Sequence, residues 1–493
     1  MVSIDTTKHS NICKYYFLNP LRFQIYKDKT LNKMMQIIQT VNQNQLKDYE
    51  PEVIMTYVIK ILFHYGETYK IDVCEWKRRR KIRLAQNSYH HLLEVYIPRK
   101  TKQIVHAVIS TINEDKLWKF ETFSLEIINN LMDHGIDGSV VVHTILNLIE
   151  SIDTNIYDIR IIIKILYEIL DSYEWPETND TITVIERLLN FFYRTIINTN
   201  TNTIFSKKLK KGFEICIRNI IKHLSNDQLL IIVYHMCSWT MQKNMSDNII
   251  LGFGSILEYT AYMHQTTLYE KTLTPIIFPL LMQMIASNSK IISLLGNRVI
   301  QYLIDRKKNR LNFDTPKIFF DNVDFDLKLS NYYKEDKIFL KIHREILHDS
   351  LLKSILNHRT SRMNLETSYC TMCIIAIEVP CGFTAAALVC LTMNLQDLIL
   401  KENNPHSIAS YHIHAIVISI MSLLCWIHKA KVFYKYVNKI MMERADWAPH
   451  LNPPIQSEYN FAVHHIFWYK PELYFIDWET RYCLWKCFRL QNY

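Results

Sequence analysis

The chain has 493 residues, of which 49% are hydrophobic and 21% charged, so it is not a disordered chain. Only 8 glycines and 13 prolines are present, which argues against strand-rich folds and phosphate-cradling loops that consume glycine at their turns. The net charge of +9 permits an acidic partner, nucleic acid or anionic lipid but requires none of them.

At this length the chain holds roughly two to four domain-sized units or one long array. The eleven cysteines are odd in number and scattered, unlike a secreted disulfide framework. The opening MVSIDTTKHSNICKYYFLNP lacks the apolar core and small-residue cleavage site of a signal peptide. A reducing compartment is expected, cytoplasmic first and nuclear as the alternative.

Residues 1–30 form an N-terminal segment, and from about residue 31 to about 310 apolar residues recur at three- and four-residue spacing. The first notable stretch is EWKRRRKIRL, residues 75–84. Read as one helix over 67–97, the apolar stripe runs through Ile71, Cys74, Ile82, Ala85, Tyr89, Leu92 and Tyr96. Lys77, Arg78, Arg79, Arg80, Lys81 and Arg83 then surround the axis, and Arg78 falls on the stripe itself. If the helix starts near Arg80 instead, the cations load its positive end, where each is unfavourable by about 0.3–1 kcal/mol. On neither reading does the run help the helix. It therefore stands as a patch for an acidic partner or as a nuclear-import signal, against a solvated surface that keeps an apolar protein soluble.

Helix pairs follow at 101–132, 137–172, 180–224, 226–264 and 268–304. Val141, Ile145, Leu148, Ile149 and Ile152 mark one helix, entered through Asp137-Gly138-Ser139, where a side chain can cap the first turn. Ile159, Ile162, Ile163, Leu166, Ile169 and Leu170 mark the next; Ile185, Leu188, Leu189, Phe192 and Ile196 a third, ending in the polar NTNTNT of 198–203. Pairs at intervals of roughly 35–45 residues have the period of helical-hairpin repeats. In this period and pairing the chain resembles the armadillo/HEAT class of α-solenoid, while the fixed Trp, Gly, Tyr and Pro offsets of tetratricopeptide repeats are absent. The resemblance implies an all-α solenoid of antiparallel helix pairs.

Two further basic clusters lie near helix ends: Lys207, Lys208, Lys210 and Lys211, then Arg306, Lys307, Lys308 and Arg310. Together with the first run they would suit an acidic peptide or nucleic acid if they lined one edge. The periodicity breaks at 311–337, with Pro316, several aspartates and the alternating Val323, Phe325, Leu327 and Leu329; this reads as a loop with an extended piece, and as an internal boundary. A second helical region occupies 338–446. Within it, 379–396 lacks charge and 406–428 is ionisable only at histidines, so both are long enough to span a bilayer. Pro380 and Gly382 look like the turn of a hairpin, and His412 and His414 would be costly in hydrocarbon, which favours buried helices over a membrane anchor. The last segment, 447–493, carries 13 aromatic residues and reads as a cap on the open end of the array, or else as a docking surface.

Signatures of chemistry are missing. No phosphate loop, nucleophile elbow or H-E-x-x-H occurs. Gly252-Phe253-Gly254 lacks a third glycine; His343 and His348 are five apart; His348-Asp349-Ser350 are neighbours that a helix points in different directions. Cys370 and Cys373 could hold zinc only with Cys483 and Cys487 folded back beside them, and buried apolar cysteines are the simpler reading. His90-His91 and His464-His465 read as packing residues. No catalytic residue, metal or cofactor is expected, and the chain reads as a non-enzymatic scaffold for a protein partner. The alternatives are a nuclear, nucleic-acid-associated protein using the basic clusters, and a protein anchored in a membrane by 379–396 and 406–428.

Overall fold

The computed structural model describes residues 35, 36, 38–40, 51–69, 76, 78–151, 156–173, 175, 176, 178–197, 204–242, 245–401, 407–456, 458, 459 and 470–476. Among them are helices and irregular segments and no strand, as the glycine poverty implies. They form two compact units that divide between His223 and Leu224, not within 311–337.

The first unit contains α1 (Pro51–Tyr69), α2 (Arg80–Glu114), α3 (Glu121–Asp133), α4 (Gly138–Ser151), α5 (Ile156–Ser172), α6 (Asn179–Ile197) and α7 (Ile204–Ile221). α2 is two helices joined at a break, with Lys100 at φ −131° and ψ 35°. Pro98 cannot donate an amide hydrogen there, and Thr101 Oγ1 donates to the Ile97 carbonyl at 2.7 Å. α1, residues 101–114, α4 and α6 pack in sequence as one layer; residues 80–97, α3, α5 and α7 form the other.

Helices within a layer run parallel, which their contacts record directly. Thr56 pairs with Thr111 at 2.8 Å, and Lys60 with Asp115 at 3.0 Å. Arg187 on α6 reaches Asn147 at 2.8 Å and Glu150 at 3.1 Å on α4. In the other layer Tyr89 Oη donates to Ile127 O at 2.9 Å, Lys164 pairs with Glu121, and Cys216 and Asn219 reach the carbonyls of Ile163 and Tyr167.

The second unit repeats the plan. It comprises α8 (Asn226–Thr240), α9 (Asp247–Met263), α10 (Tyr269–Thr272), α11 (Ile277–Ile285), α12 (Lys290–Ile304), α13 (Lys334–Ile342), α14 (Arg344–Asn357), α15 (Arg362–Glu378), α16 (Gly382–Leu400), α17 (Ile408–Ile427) and α18 (Lys431–Trp447). One layer is α8, α11, α14 and α16; the other is α9, α12, α15 and α17. Sequence fixes several starts: Ser225 makes a full capping box with Gln228, and Ser289 and Ser407 cap α12 and α17.

α11 and α12 approach closely at Gly296. A Cβ there would lie 2.7 Å from Met284 Cβ and 3.0 Å from the Ile285 amide nitrogen, too close for either to yield. Gly296→Ala is expected to cost about 1–3 kcal/mol of stability despite alanine's better helix propensity, read as a lower urea midpoint.

A buried polar chain sets the register of α12 against α14 and α15. Ser293 meets Ser354 at 3.0 Å, Ser354 meets Ser368 at 3.0 Å, and Thr371 donates to Asn297 at 2.8 Å. Gln301 continues it to Thr371 at 3.0 Å, and Arg310 Nε donates to Gln301 at 3.0 Å. A slip of one helical position would leave several of these groups buried without partners, each costing roughly 1–3 kcal/mol.

The two apolar stretches become α16 and α17. Their apolar windows are 61% and 89% buried by the surrounding protein, and Pro380 and Gly382 do sit at the α15–α16 turn. α17 is enclosed along nearly all its length, whereas α16 keeps an exposed strip that includes Asn394 and Leu398.

Residues 305–333 form a closed loop rather than a linker. Asp305 accepts from the amides of Asn309 and Arg310 at 2.8 and 2.7 Å. Asn309 and Lys328 exchange two bonds of 2.9 Å across the loop's base. Glu378, at the end of α15, accepts from the Lys307 amide at 3.1 Å, and Ser330 N donates to Ile377 O. Burial pushes the Glu378 carboxyl up to about 7, so the folded chain keeps a proton that the unfolded chain loses near 4.5. This group's contribution is therefore fullest below about pH 4.5 and is lost as pH rises through 7. Glu378→Gln is expected to remove about 2 kcal/mol of the stability difference between pH 5 and pH 8, measured by denaturation at the two pH values.

Candidate interaction surfaces

Because residues 80–97, α3, α5 and α7 run parallel, all four begin at the same edge of the first unit. The first basic run is at one start: Arg79 occupies the position before α2 with no side-chain cap, and Arg80 opens the helix. Arg78, Arg79, Arg80 and Arg83 are exposed and Lys81 half-buried. Arg79, Arg80 and Arg83 make no ion pair among the described residues. Lys77 lies outside them.

The second cluster is at another of these starts. Lys208, Lys210 and Lys211 are in the second turn of α7, whose first turn has no acidic residue. Lys208 and Lys211 are exposed, and Lys210 lies over the Phe192 ring at 5.7 Å. The backbone of Lys207 is helical, but its side chain lies outside the described set. Between the two clusters the same edge presents Lys116 and Lys119 before α3 and Arg160 near the start of α5, all exposed. These three were not singled out by sequence, since only packing aligns them. Glu67 and Glu114 are also there, while Asp115 and Glu121 are neutralised by Lys60 and Lys164.

The edge is therefore predominantly cationic and runs along helix N-termini. Cations in a first turn oppose the helix dipole by about 0.3–1 kcal/mol each, so Arg80, Lys81 and Arg83 cost local stability at the start of α2, whereas Lys208 and Lys211, a turn further in on α7, cost less. Elsewhere the same chain starts helices with serine caps.

The third cluster belongs to the second unit and is divided: its two arginines are consumed by the fold, while Lys307 and Lys308 are exposed. Arg306 pairs with the fully buried Asp336 at 2.6 Å and lies 4.2 Å from the Tyr269 ring centroid. Arg310 stacks on Tyr302 at 4.3 Å as it bonds Gln301. Lys308 takes a left-handed φ of 58° in the turn, with its ammonium over Tyr262. These residues tie down the 305–333 loop, and Lys307 contributes its amide to Glu378.

No group of histidine, cysteine and carboxylate side chains suited to a metal occurs among the described residues. Cys370 and Cys373 are buried on α15 and burial raises both thiols, Cys370 to about 12; Cys483 and Cys487 are outside the described residues. His348 pairs with Asp349 at 3.2 Å beside an apolar groove lined by Leu347, Leu351, Phe383 and Leu391. Gly252 and Gly254 are interior to α9. His90 stacks on His134, a packing contact; His464 and His465 are outside the described residues.

At the other end Tyr411, Ala448, Leu451, Leu473 and Tyr474 form a closed cluster against α17. This part of the aromatic segment covers core. Residues 460–469 and 477–493 lie outside the described set.

Parallel layers of paired helices, with polar edges and no assembled catalytic group among the described residues, define an armadillo-type helical-repeat protein. A sequence model described as "EFR3, armadillo repeat" matches residues 16–464, and the chain belongs to that family. It is similar to Protein EFR3 homolog A of Mus musculus, 24% identical over 196 residues, covering 40% of this chain and 23% of that protein. Protein EFR3 homolog A of Xenopus laevis is 24% identical over 184 residues, 37% of this chain and 22% of the relative. Protein EFR3 homolog B of Homo sapiens is 25% identical over 154 residues, 30% and 18% respectively. The match thus spans under a quarter of the length of these relatives. No solved structure matches the chain.

Proposed function

We propose that this protein is a non-enzymatic scaffold whose first unit docks an acidic segment of a protein partner along its basic edge. The observation that carries the reading is the alignment of Arg79, Arg80 and Arg83 with Lys208 and Lys211 on one edge, near the N-terminal ends of their helices. A basic stripe with no phosphate-shaped pocket suits an extended run of carboxylates, where long-range attraction supplies speed and salt sensitivity. The exposed guanidiniums add bidentate carboxylate contacts that lysines alone would not.

The test is calorimetric titration of the full chain with an Asp/Glu-rich peptide of twenty residues, at low and at physiological salt. Binding that weakens as salt rises, and that fails for Arg79→Glu/Arg80→Glu/Arg83→Glu, supports the reading. Binding to duplex DNA or to phosphatidylserine vesicles but not to the peptide would reassign the edge.

A further inference from the structure

We propose that the face of α15 and α17 beneath residues 316–325 is a groove for an extended peptide, and that this stretch of the chain occupies it in cis. The site is in the second unit and does not depend on the basic edge. Residues 316–320 belong to neither helix nor strand. Their main-chain groups are read by side chains of α17 instead. The Lys317 amide donates to Ser419 Oγ at 3.1 Å, and Ser419 Oγ donates to the Lys317 carbonyl at 2.6 Å. Two residues on, the Phe319 amide donates to Ser422 Oγ at 3.1 Å. After a turn at Asp321-Asn322, the Val323 carbonyl accepts from Trp426 Nε1 at 3.1 Å.

Ser419, Ser422 and Trp426 are spaced i, i+3 and i+7, one stripe of the helix. Lys317 and Phe319 are spaced i and i+2, so their N–H groups point to the same side of an extended chain. A helix stripe in register with a strand's main chain is a way of binding backbone whatever its sequence. Tyr369 Oη, 3.0 Å from Ser419 Oγ, extends the stripe onto α15.

Specificity comes from two aromatic anchors. Phe319 is fully buried, and Phe325 packs 5.0 Å from it and 5.8 Å from Trp426. The opposite side of the segment, Phe320, Asn322, Val323 and Asp324, is exposed. The loop's base is held separately by Asn309, Lys328 and Glu378, so the middle can lift without undoing its ends. The groove's chemistry thus fits an extended peptide with two aromatic residues about six apart, able to displace the cis segment.

The probe is a fluorescein-labelled peptide of residues 314–326, DTPKIFFDNVDFD, titrated against the full chain by fluorescence polarisation. The variant Phe319→Ser/Phe325→Ser, which loosens the cis segment, is expected to bind at least about tenfold more tightly than the wild type, whose groove is filled. Adding Ser419→Ala/Ser422→Ala is expected to reverse that gain by about tenfold. A loosened variant with an intact helical melt that binds no peptide, or binds equally without the serines, overturns the proposal. Should the loosened variant not fold, native-state hydrogen exchange on the wild type decides. Lys317 and Phe319 amides exchanging far faster than those of α17 support displacement; exchange only through global unfolding shows permanent core.

Discussion

Arg444→Met is expected to lower the stability of the second unit by about 3 kcal/mol and to open residues 449–456 and 470–476 to protease, while the α11–α15 region stays resistant. Arg444 is fully buried on α18 and has no carboxylate partner among the described residues. It donates to Leu473 O at 2.8 Å, Leu451 O at 3.0 Å and His414 O at 3.1 Å. Those acceptors belong to α17 and to the short turns Pro449–Leu451 and Pro471–Leu473. One guanidinium thus ties three chain segments into the cap.

Methionine fills similar volume but strands the Leu451 and Leu473 carbonyls, at roughly 1–3 kcal/mol each. The His414 carbonyl suffers less, because it lies within α17 and keeps its helical acceptor role. Arg444→Lys is expected to fall between, since an ammonium cannot spread its donors across the fork. Burial draws the guanidinium down to about 10, so it remains charged at neutral pH. Burial and this neighbouring cation also hold His414 well below the usual histidine range, which keeps the two from repelling. An unchanged urea midpoint and unchanged cleavage in Arg444→Met would show that the cap closes by aromatic packing alone.

What the sequence reveals of this fold is what local periodicity encodes. Helix pairs from 137 onward were legible because each buries one stripe, and the turn at Pro380–Gly382 because those residues break a helix. The start of α2 at Arg80 matches one of the two readings of the basic run. Distance in sequence hides the rest. Arg306 and Arg310 look like free loop cations until Tyr269, Tyr302 and Asp336 are brought beside them by packing. Arg444 reads as an ordinary last-turn cation, and its carbonyl partners carry no side-chain signature. The 311–337 break was legible as irregular, but Ser419 and Ser422, which hold it, sit a hundred residues away inside an apolar stretch that also passes for a membrane span. The basic edge was half visible: its two dense clusters stand out in sequence, but that they share an edge follows only from the parallel layers.

That shared edge makes a length-dependent prediction. Three steps between neighbouring parallel helices, at about 8–10 Å each, separate the start of α2 from that of α7, roughly 30 Å in all. An extended peptide spans this with about ten residues. Hexaglutamate should therefore feel one cluster, whereas a twenty-residue acidic peptide should feel both. Reversing Arg79, Arg80 and Arg83 to glutamate is expected to weaken the long peptide by about 10–100-fold at low salt, and Lys208→Glu/Lys211→Glu by about tenfold. Either variant alone should reduce the long peptide's affinity toward that of the short one, and flatten its salt dependence, because a tethered second contact is lost. The combined variant should show coupling between the clusters rather than independent losses. If the lysine variant leaves the long peptide unaffected, the clusters act as separate patches and the edge is not one binding surface. If both peptides lose affinity equally in each variant, the effect is that of net charge on the whole unit, and no segment is being read along it.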